Sequence, residues 1–435
     1  MKRLLLKGGR VLDPSRSVDG LFDVIVFGGK VASIKAPDDA ASPSDAETDA
    51  GWEVVDCTGL LVVPGLIDIH THLREPGYEY KETIKTGTEA AVAGGFTTIL
   101  CMANTEPVND NASVSRFIAK QARELELANV LPVGAVTTGF RGAQLTEMAE
   151  LKEAGCAGVS DDGLPIADAA IMRRALEYAR GLGLTVISHA EEPELVLGGV
   201  MHEGTVSTRL GLKGIPAEAE SVMVARDVLL SELTGGKLHI AHVSSRGALD
   251  IIRAAKKRGV NVTAEASPHH LLLTDESVSG YGTEYKMNPP LRTGDDRAAL
   301  RGAVKDGTID TIATDHAPHS SIEKDVEFDS AANGVVGLET SLGVVLQLVT
   351  EGELTLSEVI RAMTINPALA MGLEKGTLQV GRDADITVID LEREWTVEPK
   401  EFKTKGRNTP FAGWELKGRA VRTIVGGRTV YELTA

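Results

Sequence analysis

Two histidines two residues apart, His70 and His72, close an apolar run in GLIDIHTHLREPG. A spacing of two along a strand turns both imidazoles to one face, and two convergent neutral imidazoles are half of a divalent metal site. Other apolar runs also end on polar groups: Asp161 and Asp162 after AGVS, His189 after LTVIS, His242 after LHIA and Asp315 after DTIAT. Taken singly, each reads as a turn aspartate or a hydrogen-bonded core histidine. Beside an HxH pair they read together as a ligand set. Imidazoles with carboxylates and no thiolate suit hydrolysis at zinc or a similar borderline cation, and two metals are expected because a shared carboxylate can bridge them. The residues alone leave either Asp161 or Asp162 as that bridge.

These groups need a scaffold that brings strand ends together. The middle of the chain supplies it by alternation: TEMAELKEAG then CAGVSDDG, MRRALEYARGLG then LTVISHAEE, SVMVARDVLLSELTGG then KLHIAHVSS, ALDIIRAAKKRG then VNVTAEASPHH, and DRAALRGAVKDG then TIDTIATDHAPH. Successive helix-then-strand units imply a parallel sheet, and a closed (β/α)8 TIM-type barrel is favoured over an open doubly wound sheet. Either architecture gathers functional groups at the C-terminal ends of its strands, where these polar residues lie. The two ends of the chain read differently, as short Gly-bounded strands: LLLKGGRVLD, FDVIVFGGKVASI and WEVVDCTGLLVV at one end, ADITVIDL and RAVRTIVGGRTVYEL at the other. The expected α/β organisation is therefore a barrel over 63–375 and a small β-sandwich domain built from 1–62 plus 376–435. APDDAASPSDAETDAG, with Asp38, Asp39, Asp45, Glu47 and Asp49 and no base, reads as a solvated acidic loop.

Composition narrows the function classes. Acidic residues outnumber basic ones 62 to 45, a formal charge of −17, which argues against nucleic acid and against docking on an anionic membrane. Three cysteines (Cys57, Cys101, Cys156) without CxxC spacing indicate neither a disulfide framework nor a thiolate zinc site, so a cytoplasmic location is expected. No stretch approaches about 18 uninterrupted apolar residues, and MKRLLLKGGR is too short in its apolar part for a signal peptide.

The runs GLIDIHTHLREPG, CMANT, VSDDG, SHAEE, HIAHVSS, PHHLLLT, MNPPLR, ATDHAPH and GVVGLET together resemble the dihydroorotases of the bacterial type I group, within the amidohydrolase superfamily, over essentially the whole chain. The resemblance implies that His70 and His72 bind one metal, His189 and His242 the second, and that Asp162 bridges them, 27 residues before His189. It implies that Asp315, a further ligand, takes a proton from a hydroxide shared by the metals and passes it to the departing ring nitrogen. The reaction is the reversible closure of N-carbamoyl-L-aspartate to (S)-dihydroorotate in pyrimidine biosynthesis. Arg74, Asn104, Asn288 and His319 complete the implied substrate-binding set, with the Asn333–Gly334 backbone facing the ring amide. Arg74 lies on the same side as His72 if strand geometry continues, and its guanidinium suits a carboxylate. Ala103 and SHAEE depart from the family's usual Pro and DHxED without removing a ligand, and the aspartate replaces the carbamylated lysine of hydantoinase-like enzymes.

His202, His239, His269 and His270 read as structural, His316 has no derivable role, and Cys101 and Cys156 read as core residues. Two alternatives stand beside the main reading. One is another cyclic amidase (dihydropyrimidinase, hydantoinase or allantoinase), which would lack the Arg74, Asn104 and His319 clamp. The other is a catalytically silent scaffold for aspartate carbamoyltransferase, against which the full ligand set argues. A carbamoyltransferase partner and a homodimer are the expected associations.

Overall fold

The computed structural model describes residues 3–36 and 51–434. The acidic loop anticipated over residues 38–49 lies outside the described residues. At the N-terminus, alternating apolar positions form β1 (Arg3–Asp13), β2 (Val18–Phe27), β3 (Lys30–Lys35), β4 (Trp52–Asp56) and β5 (Leu61–Pro64). The chain then runs through the parallel strands β6 (Leu66–Thr71), β7 (Phe96–Cys101), β8 (Asn129–Gly134), β9 (Gly158–Val159) and β10 (Thr185–Ser188). A two-stranded excursion, β11 (Met201–His202) with β12 (Gly214–Ile215), precedes β13 (Lys237–Ile240), β14 (Val262–Ala266) and β15 (Thr311–Ile312). The C-terminal strands are β16 (Ile386–Thr396), β17 (Glu415–Val425) and β18 (Arg428–Glu432).

Strands β6 to β10 and β13 to β15 form one sheet in the order β15-β14-β13-β10-β9-β8-β7-β6, every pairing parallel. The ends meet through a parallel bridge between Thr71 and His316, with the His72 amide donating to the His316 carbonyl at 2.8 Å. Asp68 reinforces this seam: its buried carboxylate accepts from the Thr314 amide and hydroxyl, the latter at 2.5 Å. The expected (β/α)8 barrel is therefore present. Its interior is apolar, since Ile67, Ile69, Leu100, Met102, Val133, Ile187, Ala241 and Ala313 come from around the ring into one buried cluster. Ala368, Ala370 and Met371 of the helix Ile365–Met371 join that cluster and stop one end of the ring.

The helices follow from local chemistry. Ala169–Leu182 starts on the Asp168 side chain, which accepts from the amides of Ala170 and Ile171, and ends on Gly183 in the left-handed region. It buries Ile171, Met172, Ala175, Leu176 and Ala179, the i, i+3, i+4 stripe that seats a helix on a sheet. Strands from both chain ends make a second sheet, ordered β18-β17-β16-β5-β1-β2-β3 with β4 also on β1. β5 joins the two halves, antiparallel to β16 and parallel to β1. This sheet has a core of its own, including Leu4, Leu6, Val24, Val62, Ile386 and Ile424. Among the described residues, no helix is long and apolar enough to cross a membrane.

Candidate active site

The strand ends opposite the plugged end of the barrel converge on Asp162. Its Oδ2 lies 3.3 Å from His70 Nε2 and 3.5 Å from His72 Nε2, while Oδ1 lies 3.8 Å from His189 Nδ1 and 3.6 Å from His242 Nε2. His189 Nδ1 and His242 Nε2 are themselves 2.8 Å apart. Asp315 Oδ1 sits 3.2 Å from His72 Nε2 and 3.5 Å from His70 Nε2. Asp161 turns away, accepting from the amides of Val136 and Thr137 at 2.8 and 2.9 Å and from the Thr137 hydroxyl. Two ligand triads result, His70/His72/Asp162 and Asp162/His189/His242, whose donor atoms each fall within 4.8 Å of one another.

Two donor atoms in this cluster, His70 Nε2 and Asp162 Oδ1, are buried without a hydrogen-bond partner. Burying polar atoms unpaired is costly, and imidazole nitrogens facing a shared carboxylate suit a pair of divalent cations. The field has the matching sign. Burial opposes the Asp162 charge, yet His70 and its neighbours hold the carboxyl well below the usual range. Burial also opposes charge on Asp315, but His70 and His72 bring it to about 2. Burial lowers His70 as well, but Asp162, Glu265 and Asp315 together raise it well above an ordinary histidine. A carboxylate field that favours positive charge at a buried imidazole equally favours a cation beside it.

The second wall of the cleft comes from loops. Arg74 is 9% exposed and its Nε donates to the Pro318 carbonyl at 3.3 Å. The strand expected to carry it ends at Thr71, and Arg74 has φ 63°, so its aim comes from a left-handed turn rather than continued strand alternation. His242 (φ 31°) and Asp315 (φ 51°) share that sparsely populated geometry, which concentrates at functional sites. Asn104 Oδ1 accepts from His72 Nδ1 at 2.8 Å, and Asn288 Nδ2 is 3.5 Å from His189 Nε2. His319 Nε2 donates to the Asn333 carbonyl at 2.8 Å, and burial followed by the Arg74 charge pushes its pKa down to about 3, so the ring is neutral at pH 7. One cleft is lined by His72, Arg74, Asn104, Asp162, His189, His242, Asn288, Asp315, His319, Asn333 and Gly334; His70 lies fully buried behind it.

The amidohydrolase family profile matches residues 61–430. The chain belongs to the amidohydrolase family. Among curated amidohydrolases it is 55% identical to the dihydroorotase of Geobacter metallireducens over 99% of both chains, and 56% identical to that of Pelobacter propionicus over 98% of this chain and 99% of the other. Among solved structures it superposes on the L-hydantoinase (dihydropyrimidinase) of Arthrobacter aurescens with a TM-score of 0.88 at 26% identity, covering 99% of this chain and 96% of that one. The dihydropyrimidinase of Brevibacillus agri gives a TM-score of 0.83 at 25% identity, over 99% and 95%.

The reading of the sequence missed the groups that brace this amidohydrolase cleft. Glu265, fully buried, takes His70 Nδ1 at 2.5 Å, His239 Nε2 at 3.1 Å and the His242 amide at 3.1 Å. It is the penultimate residue of VNVTAEA and lies inside its strand rather than beyond it, so the strand-end rule that picked out the other candidates passes over it. Glu191 Oε2 lies 3.5 Å from His189 Nε2. His316, for which the sequence offered no role, carries the barrel seam through its carbonyl and lies 3.4 Å from buried Glu82 through its ring. The arrangement sets a ligand group suited to a metal against one wall and presents a buried guanidinium and amide donors from the other. It suits hydrolysis of a small amide that carries a carboxylate.

Proposed function

We propose that the chain is a dihydroorotase, which closes N-carbamoyl-L-aspartate to (S)-dihydroorotate with loss of water in pyrimidine biosynthesis and catalyses the reverse hydrolysis. The observation that carries this is a buried guanidinium, Arg74, in the same cleft as the imidazole–carboxylate cluster, in a chain 55% identical along its length to a dihydroorotase. His70 and His72 on one side, His189 and His242 on the other and Asp162 between them would hold two zinc ions, with Asp315 as a further ligand. Bound there, such cations supply Lewis acidity that activates water and polarises a ring carbonyl. Arg74 binds the substrate α-carboxylate, aided by Asn104 and His319, and fixes which ring face meets Asp315. Asn288 and the Asn333–Gly334 backbone hold the ring amide.

In hydrolysis, Asp315 takes one proton of the attacking water and delivers it to the ring nitrogen as the C–N bond breaks, while the other is released to solvent as the new carboxylate forms. In closure the order reverses: the carbamoyl nitrogen attacks the carboxyl carbon to form the new C–N bond, its proton passes through Asp315 to the departing oxygen, and a second proton from solvent completes the water that leaves. A carboxyl at about 2 is fully ionised at neutral pH and so ready to accept. The same reading includes the division into 63–375 and 1–62 plus 376–435, a homodimer, a cytoplasmic location and aspartate carbamoyltransferase as partner.

The hydantoinase likeness of the fold supports a second reading, hydrolysis of uncharged cyclic amides. Zinc-loaded protein incubated separately with dihydroorotate and hydantoin decides between them. Turnover of dihydroorotate is expected; turnover of hydantoin alone would reverse the assignment, and activity appearing only with added carbamoyltransferase would identify a required partner.

A further inference from the structure

Lys324 ends the short helix Ser321–Lys324 and is 4% exposed. A buried ammonium is tolerated only when its N–H groups find acceptors. Here all of them do, and none of the acceptors is a carboxylate. Nζ donates to the carbonyls of Ala332 and Gly334, each at 2.9 Å, and of Lys286 at 3.3 Å. Burial lowers this lysine to about 8, with Glu284 opposing the shift.

Those three carbonyls belong to the two stretches that deliver Asn288, Asn333 and Gly334 to the cleft. The stretches are tied once more by the Gly334 amide donating to the Lys286 carbonyl at 3.0 Å. Asn408 adds a strut, its Nδ2 donating to the carbonyls of Ala317 and Gly334 at 3.0 and 3.1 Å. Gly334 itself has φ 129°, and a Cβ there would lie 2.7 Å from that of Ala317 and 3.3 Å from His319 Nε2, so the backbone packs tightly on the segment carrying His319. Lys324 lines a neighbouring cavity with Glu284, Ser320 and Lys405; His319 lines both that cavity and the catalytic cleft, which Lys324 does not reach.

We propose that Lys324 is a positioning residue for substrate: its ammonium gathers the 286–288 and 332–334 segments so that Asn288 and the Asn333–Gly334 backbone meet the ring together. The proposal rests on the dihydroorotase reading only for which substrate reports it. Lys324→Met keeps the length and removes the donors. With dihydroorotate and zinc-loaded full-length protein, it should raise KM about tenfold or more while kcat stays within about threefold, the pattern of lost binding rather than lost chemistry. Zinc content should match the wild type. Hydrogen exchange at the Gly334 amide should quicken by about tenfold as the loop opens locally. Lys324→Gln, which keeps two N–H donors, should fall between, and it carries both measurements if the methionine variant does not fold.

Wild-type KM and wild-type Gly334 exchange in Lys324→Met would overturn the proposal, as would an equal fall of kcat with loss of zinc. If wild-type protein does not turn over dihydroorotate, the functional reading fails by itself. The Gly334 exchange then still decides the clamp, with faster exchange upholding it and unchanged exchange overturning it.

Discussion

The two walls of the cleft are braced by different means. On the imidazole–carboxylate wall the groups leave parallel strand ends, and buried carboxylates hold them: Glu265 takes His70, His239 and the His242 amide, and Asp68 takes Thr314 next to Asp315. On the loop wall Arg74, Asn288, His319 and Asn333 have no ladder behind them, and their supports are donors to main-chain carbonyls, from Lys324, Asn408 and Arg74 itself. Sheet register fixes strand-end groups at no extra cost, so their supports are free to tune charge. Loop groups lack that frame, and their supports must first fix the backbone.

This contrast predicts a graded set of failures. Chelation should empty the first wall and abolish turnover while the fold persists, because the barrel core is apolar and independent of the cluster; zinc should restore activity, and undiminished activity in metal-free protein would end the metal reading. Next in size, Asp315→Asn should lower kcat by about 10³-fold, within the range for loss of a positioned proton carrier, while zinc measured by atomic absorption remains. On the loop wall, Arg74→Gln should cut kcat/KM for dihydroorotate by about 10²-fold through KM, as expected for truncating one member of a buried charge pair; a fall in kcat alone would place Arg74 on the chemical side instead.

Two smaller effects test the braces. Glu265→Gln should weaken zinc binding about 10- to 100-fold, the usual consequence of removing the carboxylate behind a ligating imidazole. Competition with a chromophoric chelator reads this directly, and unchanged affinity would make Glu265 a packing residue only. Asn104→Ala removes the neutral hydrogen bond to His72 together with the aid Asn104 gives Arg74 at the substrate carboxylate, and should cost about 30-fold or less in kcat/KM. If it costs more than Arg74→Gln, the division between the walls is drawn in the wrong place.

Much of the first wall was legible because its signal is local. A polar residue ending an apolar run marks a strand end, and alternating helices and strands imply that such ends converge. The same periodicities gave the barrel and the β-rich chain ends. Asp161 and Asp162 show the limit of that reasoning, since adjacent residues of one type at one strand end differ only in which way each points, and that depends on Val136 and Thr137 from the neighbouring strand's end. Arg74 is a second case: the expectation of continued strand geometry failed at Thr71, and the residue reached the cleft through a left-handed turn.

By itself, then, the sequence determined the element types, the barrel and the residues able to bind cations, because hydrophobic period and side-chain chemistry are properties of short segments. Only the tertiary structure decided which carboxylate faces the imidazoles, that one buried glutamate braces two of them, and that a lysine outside the recognised motifs ties two loops together. Those outcomes depend on contacts between segments as distant as Asp68 and Thr314, or Lys286 and Lys324, and on the need of each buried polar group for a partner, which no local pattern specifies.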